Sequence, residues 1–234
     1  MTVIYPTTLT EKLNFLSRNQ TWLPLFALII ASLVGLVDDW LEIKTSTGGL
    51  SFRRRLILVT LLGGLGALWF YFKLERSSID LPFSGELSVG WLIIPFFILV
   101  MIFLFTSSVI DGLDGLAGGV MAIIFGAYAG IAFFQNQIDL AAFCAVVTGA
   151  ILAFLWFNVP PARFYMSETG ILGLTAALTM VVFLTESALT LPIIAFPLFV
   201  TVIVNILQLA SKKFRHGKKI FHIAPLHHHF EALG

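Results

Sequence analysis

Seven stretches of this sequence approach the length that a helix needs to cross a lipid bilayer, which is about 20 apolar residues. They cover residues 22–38, 56–72, 91–108, 116–134, 140–157, 170–185 and 189–210. The composition agrees, because 58% of the 234 residues are hydrophobic, only 12% are charged, and the mean hydropathy is +0.96. We therefore predict an all-α, polytopic integral membrane protein of about seven transmembrane helices, with residues 1–234 forming a single membrane-embedded domain.

The formal net charge is only +1, so the composition gives no indication of a nucleic-acid partner. A single cysteine, Cys144, lies inside an apolar run and cannot form an internal disulfide, so no redox chemistry is indicated. Residues 1–21 lack the pattern of a cleaved signal peptide. Membrane insertion is therefore expected to depend on the internal spans.

The distribution of basic residues predicts the orientation. Ten of the fourteen lysines and arginines fall on one set of loops: Lys44, Arg53, Arg54, Arg55, Arg163, Lys212, Lys213, Arg215, Lys218 and Lys219. Basic loops are retained on the cytoplasmic side of the membrane. The N-terminus is then predicted to lie outside the cytoplasmic membrane.

Eight acidic and imidazole side chains adjoin the ends of the apolar runs, all on the predicted cytoplasmic side. They are Asp38, Asp39, Asp111, Asp114, Glu168, His227, His228 and His229. Ionisable groups at membrane depth are costly and persist mainly where a cavity, a partner or a cation compensates them. Five other acids, Glu75, Asp80, Glu86, Asp139 and Glu186, populate the opposite loops as ordinary solvated charges. The eight residues predict a polar cleft that faces the cytoplasm.

The segment GLVDDWLEIK places Asp38 and Asp39 at the end of the first span. The C-terminal end of a helix repels anions, so a bound divalent cation or a basic partner would relieve this pair. One carboxylate could then act as a general base. The alternative is a solvated pair of aspartates at the membrane interface.

The segment SSVIDGLDGLAGG places Asp111 and Asp114 three residues apart, among glycines that permit a close approach of backbone or ligand. This pattern favours a loop that binds a polar ligand or a metal. The glycines alone are equally compatible with tight packing of membrane helices.

The segment FNVPPARFYMSETG follows the fifth span, where two prolines end the helix and the loop presents Asn158, Arg163, Tyr165 and Glu168. Glu168 precedes a new helix, so it is either a simple helix-start acid or an oxygen ligand for Mg²⁺.

The tail is basic and ends in HHHFEALG, a composition that favours binding to anionic lipid or phosphate. Successive helical residues point about 100° apart, so at most two of His227, His228 and His229 could face one ligand.

These four motifs, in this order over residues 22–234, resemble the polyprenyl-phosphate N-acetylhexosamine-1-phosphate transferase superfamily. The HHHFE tail resembles in particular the phospho-N-acetylmuramoyl-pentapeptide transferase family. The resemblance implies transfer of phospho-MurNAc-pentapeptide from UDP-MurNAc-pentapeptide to undecaprenyl phosphate, which releases UMP and forms lipid I, the first lipid-linked peptidoglycan precursor. It also implies a Mg²⁺ cofactor and allows for a homodimer.

Carried over by position, the resemblance gives each candidate residue a role. One of Asp38 and Asp39 would deprotonate the lipid phosphate or help to hold the pyrophosphate, and together with Glu168 the pair would ligate Mg²⁺. The substrate-binding residues would be Asp111, Gly112, Leu113 and Asp114 near the uridine, Asn158 of the FN motif, and Tyr165 stacked near the uracil. His227, His228 and His229 would lie near the phosphates.

The chain also departs from this family. It reads MSETG where the family usually reads MGDTG, so Glu168 replaces an aspartate and Ser167 a glycine, and Ser108 replaces an asparagine. Because Glu168 is one methylene longer than aspartate, we expect weakened or altered Mg²⁺ binding. The usual N-terminal helices and the last C-terminal helix are not found, so we also expect a shortened core.

Three alternatives stay open: a transferase for another UDP-hexosamine, an inactive fragment or homologue, and a cation transporter. The transporter predicts ionisable residues in mid-span rather than at span ends.

Overall fold

The structure, a computed structural model, describes residues 19–44, 49–75, 78–81, 85–110, 112–215 and 220. Within these ranges the chain is almost entirely helical. The α-helices are α1 (Asn19–Lys44), α2 (Phe52–Lys73), α3 (Ile93–Thr106), α4 (Leu116–Phe134), α5 (Ile138–Asn158), α6 (Ser167–Leu184), α7 (Leu191–Ile194) and α8 (Phe196–Phe214). Short 3-10 helices at Gly90–Leu92 and Ser107–Ile110 flank α3.

The predicted all-α membrane fold is confirmed. Among the described residues, six helices are long and apolar enough to span a membrane, and the shorter apolar helix Gly90–Thr106 matches the third predicted span. The prediction of one continuous span over residues 189–210 is wrong, because the helix breaks at Ala195. Pro192 and Pro197 stand in the first turns of α7 and α8, where a missing N–H is tolerated, and this favours two helix starts over one continuous helix.

A short antiparallel β-hairpin occupies part of the connection between α2 and α3, for which the sequence analysis made no prediction of structure. Strand β1 (Ser78–Leu81) pairs with β2 (Gly85–Ser88), so that Ser78 faces Ser88 and Leu81 faces Gly85. The hairpin follows the C-terminal end of α2. It therefore lies at the opposite end of the bundle from the start of α2.

Helix α6 is the central element of the bundle. Every residue from Ile171 to Phe183 is buried, and α6 packs against α1, α2, α3 and α4. Phe183 contacts Phe97 with tilted rings and Phe70 edge-on, so aromatic side chains from three helices meet near its C-terminal end. A helix that is apolar all round belongs in the interior. Its polar first turn, which contains Glu168, is consequently held in a fixed position at one end of the bundle.

Glycines set the close crossing of α1 and α6. A Cβ atom added at Gly35 would lie 2.4 Å from the carbonyl oxygen of Glu168 and 2.7 Å from the Cα atom of Thr169. On the α6 side of the crossing, a Cβ atom added at Gly173 would lie 2.0 Å from the Ser32 hydroxyl of α1. Small residues let membrane helices approach this closely. The same crossing brings the end of α1 against the start of α6.

We expect Gly35→Ala to lower the free energy of unfolding by about 1 to 3 kcal/mol, because the new methyl group would meet backbone that has to shift. Gly64→Ala is the matched control, since a Cβ atom at Gly64 meets nothing within 4 Å. Alanine favours helix there by up to about 1 kcal/mol, so the control should be neutral or stabilising. Both values can be measured by unfolding titration in mixed micelles. Equal stabilities of the two variants would contradict the close crossing.

Candidate active site

The end of the bundle where α1 ends and α6 begins is called the site end here. At this end Asp39 of α1 caps the first turn of α6. Its carboxylate accepts hydrogen bonds from the Ser167 hydroxyl (2.6 Å), the Glu168 backbone N–H (3.2 Å), and both the backbone N–H (3.0 Å) and hydroxyl of Thr169. The first N–H groups of a helix lack partners within the helix and carry partial positive charge. Asp39 therefore stabilises the start of α6 from a neighbouring helix.

Asp38 faces inward and is 1% exposed. Its Oδ1 atom accepts the backbone N–H of Leu50 at 2.6 Å, and its Oδ2 atom lies 2.6 Å from Nε of Arg55. Gly49 has φ +75°, and a Cβ atom there would lie 2.9 Å from Asp38 Oδ1. The turn before α2 thus wraps around the buried carboxylate, and only glycine combines this backbone conformation with this close approach.

Arg55 links the carboxylates of Asp38 in α1 and Glu168 in α6. Besides its contact with Asp38, its Nη1 atom pairs with Oε1 of Glu168, so one guanidinium bridges two carboxylates from different helices. Its side chain is 20% exposed and that of Glu168 is 19% exposed. Buried or partly buried carboxylates need a counter-charge. The planar guanidinium group has several N–H donors and can therefore contact two carboxylates at once.

From the sequence, Arg55 is predicted only as a loop cation and not as a site residue. Arg53, Arg54 and Arg55 are consecutive, and a run of three arginines does not show which member turns inward. Arg53 and Arg54 are exposed in the structure. The distinction arises from the direction of α2 relative to α1 and α6.

A second polar cluster lies at the same end, where α5 ends and α4 begins. The buried side chain of Asn158 accepts the Gly115 N–H through Oδ1 and donates through Nδ2 to the Phe164 carbonyl, both at 3.0 Å. Asp114 accepts the Ala162 N–H at 2.9 Å. Asp114 and Asn158 therefore hold the loop before α4 against the loop after α5.

The structure thus brings Asp38, Asp39 and Glu168 together, as the sequence predicted, whereas Asp114 lies with Asn158 in the second cluster. Nearby, Gly112 is exposed, Leu113 is partly buried and Tyr165 is 62% exposed. The remaining predicted site residues lie outside the described residues: Asp111, His227, His228 and His229. The side chain of Ser108 lies outside them as well. The roles assigned to all these residues stay predictions.

The carboxylates can be compared with what Mg²⁺ requires. Oδ1 of Asp38, both oxygens of Asp39 and Oε1 of Glu168 accept hydrogen bonds. Oδ2 of Asp38 has an ion-pair contact with Nε of Arg55 but no hydrogen bond, and Oε2 of Glu168 is buried without a hydrogen-bond partner. Among the described residues, no group of three or more His, Cys, Asp or Glu side chains is arranged to hold a metal ion. A carboxylate oxygen is the ligand type that Mg²⁺ prefers, and the ion often takes only one or two protein carboxylates. One oxygen, Oε2 of Glu168, therefore fits such an ion.

Residues 21–186 match the sequence profile of glycosyl transferase family 4. The match covers more than half of the chain and includes both polar clusters. The chain belongs to glycosyl transferase family 4. The resemblance predicted from the four motifs is therefore confirmed at the level of the family.

Individual relatives in this family are named phospho-N-acetylmuramoyl-pentapeptide-transferase. The protein from Chloroflexus aggregans is 34% identical over 242 residues, which cover 97% of this chain and 66% of that protein. The one from Geobacillus sp. (strain WCH70) is 38% identical over 237 residues, covering 97% and 70% respectively. The one from Clostridium perfringens (strain 13 / Type A) is 36% identical over 223 residues, covering 92% and 68%. This chain of the glycosyl transferase family 4 thus spans about two thirds of the length of these relatives.

Proposed function

We propose that this chain transfers phospho-MurNAc-pentapeptide from UDP-MurNAc-pentapeptide to undecaprenyl phosphate, forming lipid I and releasing UMP. An oxygen of the lipid phosphate would attack the phosphorus attached to the sugar, and the bond from that phosphorus to the UMP oxygen would break. The observation that carries the proposal is the cluster of Asp38, Asp39, Arg55 and Glu168 at one end of a membrane bundle. The names of the relatives support phospho-N-acetylmuramoyl-pentapeptide as the group that is transferred.

The chemistry of the cluster suits this reaction. Two phosphorylated reactants bring several negative charges together, so transfer depends mainly on positioning and charge neutralisation. Arg55 supplies a guanidinium at the centre of the cluster, and guanidinium groups bind phosphate through two parallel hydrogen bonds. A phosphate that competes with the carboxylates for Arg55 would enter between Asp38 and Glu168.

We assign Asp39 to positioning, because its oxygens are used in capping α6 and so fix the backbone of Glu168. Glu168 would hold Mg²⁺ through Oε2, with Asp38 and Asp39 as the neighbouring carboxylates. When bound there, Mg²⁺ would neutralise charge on the transferred phosphate. From the resemblance of the HHHFE motif, His227, His228 and His229 would lie near the phosphates.

The second cluster would bind the nucleotide. Asp114 and Asn158 fix two loops against each other at the site end. The loop residues Asp111, Gly112 and Leu113 would then contact the uridine, and the exposed ring of Tyr165 would be available to stack on the uracil.

We further propose that the site end faces the cytoplasm of a bacterium, where UDP-linked sugars are made. Basic residues support this orientation. Lys44, Arg53, Arg54, Lys212 and Lys213 all lie at the site end of α1, α2 and α8, whereas Lys73 lies at the opposite end of α2.

The experiment is a transfer assay with the purified chain in detergent. With UDP-MurNAc-pentapeptide, undecaprenyl phosphate and Mg²⁺, we expect UMP and lipid I in equal amounts, read by chromatography and mass spectrometry. UDP-N-acetylglucosamine in a parallel reaction distinguishes the transferase for another hexosamine. A mock preparation from host cells that lack the chain measures background from the expression host. A folded wild-type chain that yields no more UMP than this background would show that it is inactive on its own.

A further inference from the structure

A large apolar cleft opens between α1 and α2, on the side of the bundle that runs away from the site end. Helix α1 packs mainly on α6 and α2 mainly on α3, while α1 and α2 make little direct contact with each other. The space between them has a volume of about 740 Å³. This volume lies within the range of ligand-binding pockets, roughly 300 to 1,000 Å³.

The cleft runs from the middle of the bundle towards the end opposite the site. Its inner end is lined by Ala31 of α1, seven residues or about 10 Å along the helix from Asp38. Met180 of α6 contributes to its floor. Trp22, Trp69 and Lys73 line the far end, where α1 begins and α2 ends. The cleft therefore runs along the membrane normal through the half of the bilayer opposite the site end.

The walls suit a flexible chain better than another helix. Membrane helices pack through small residues, whereas this cleft is walled by bulky side chains that remain about half exposed: Phe26, Ile30, Leu65 and Trp69 are 52%, 48%, 67% and 50% exposed. An irregular surface of this kind leaves room between side chains that a rigid helix cannot fill. An acyl chain can adapt to it.

The far end of the cleft carries a positive charge that would pair with an anionic lipid headgroup. Lys73 is the charged residue among those that line the cleft, and within the described part of the chain it forms no ion pair. Trp22 and Trp69 stand beside it, and tryptophan favours the depth of lipid headgroups. A lysine at that depth attracts a lipid phosphate.

We propose that the cleft binds one membrane phospholipid with an anionic headgroup, its acyl chain between α1 and α2 and its phosphate at Lys73. The lipid belongs to the leaflet opposite the site end. A polyprenyl phosphate that reacts at Arg55 would have its phosphate at the other end of the cleft. The inference rests on the membrane-spanning fold and is independent of the proposed catalytic function.

Native mass spectrometry of the detergent-purified chain, titrated with phosphatidylglycerol or with phosphatidylcholine, tests this site. We expect one tightly retained phosphatidylglycerol per wild-type chain. Leu65→Trp should fill the cleft and weaken retention of both lipids about tenfold. Lys73→Ala should weaken phosphatidylglycerol about fivefold and leave phosphatidylcholine unchanged.

Matched controls exclude general effects of the substitutions. Leu61→Trp lies one turn away on α2 at 59% exposure, outside the cleft, and should bind lipid as the wild type does. Ile30→Trp fills the cleft from the α1 wall and should reproduce Leu65→Trp, with Leu33→Trp as its control outside the cleft. Unchanged retention in both filling variants would overturn the proposal. So would a wild-type dimer that only the filling variants dissociate, or displacement of phosphatidylglycerol by undecaprenyl phosphate one for one.

Discussion

Replacing Arg55 with methionine should lower the free energy of unfolding by about 3 to 5 kcal/mol, because it leaves buried carboxylates without a counter-charge. Asp38 is 1% exposed and Glu168 19%, and Arg55 is the cation that contacts both. Arg55→Lys should recover only part of the loss, since a single ammonium group cannot reproduce a guanidinium that faces two carboxylates. Unfolding titrations of purified protein in mixed micelles measure each value.

The neighbouring Arg54 supplies the control. It is exposed, so Arg54→Met should change the stability by no more than about 0.5 kcal/mol. Adding Asp38→Asn and Glu168→Gln to Arg55→Met should restore part of the stability, because the penalty comes from unpaired charge. The bridge would have no structural importance if Arg55→Met and Arg54→Met unfolded alike.

Replacing Asp39 with alanine should reduce the proposed transfer by about 100-fold, the usual effect of shifting a reacting group by about 1 Å. The first turn of α6 would lose its acceptor, and Glu168 belongs to that turn. Loss of the cap should also lower the free energy of unfolding by about 2 kcal/mol. Turnover must therefore be compared at a temperature where both proteins remain folded.

Glu42→Ala is the matched control for this substitution. Glu42 lies about one turn further along α1, is also acidic, and is exposed. It should leave both turnover and stability near the wild-type values. Asp39→Asn retains one acceptor oxygen, so its turnover and stability should lie between those of Asp39→Ala and Glu42→Ala. Full turnover in Asp39→Ala would show that the cap does not position Glu168.

Several features could be predicted because they follow from local pattern. Apolar length gave the spans, and the cost of charge at membrane depth singled out Asp38, Asp39 and Glu168, which the structure indeed brings together. The break at Ala195 was missed even though Pro192 and Pro197 are visible in the sequence. Hydropathy does not register a missing N–H, so the short helix α7 and the longer helix α8 look like one continuous span.

The sequence by itself determined that this chain enters a membrane as helices and that its acids gather at span ends, since both follow from the free energy of placing side chains in lipid. It could not determine that Asp39 caps α6 or that Arg55, rather than Arg53 or Arg54, bridges Asp38 and Glu168. Those contacts join residues that are far apart in the chain, and Arg55 and Glu168 are separated by 113 positions. Only the close crossing of α1 and α6 at Gly35, together with the direction of α2, decides which side chains meet.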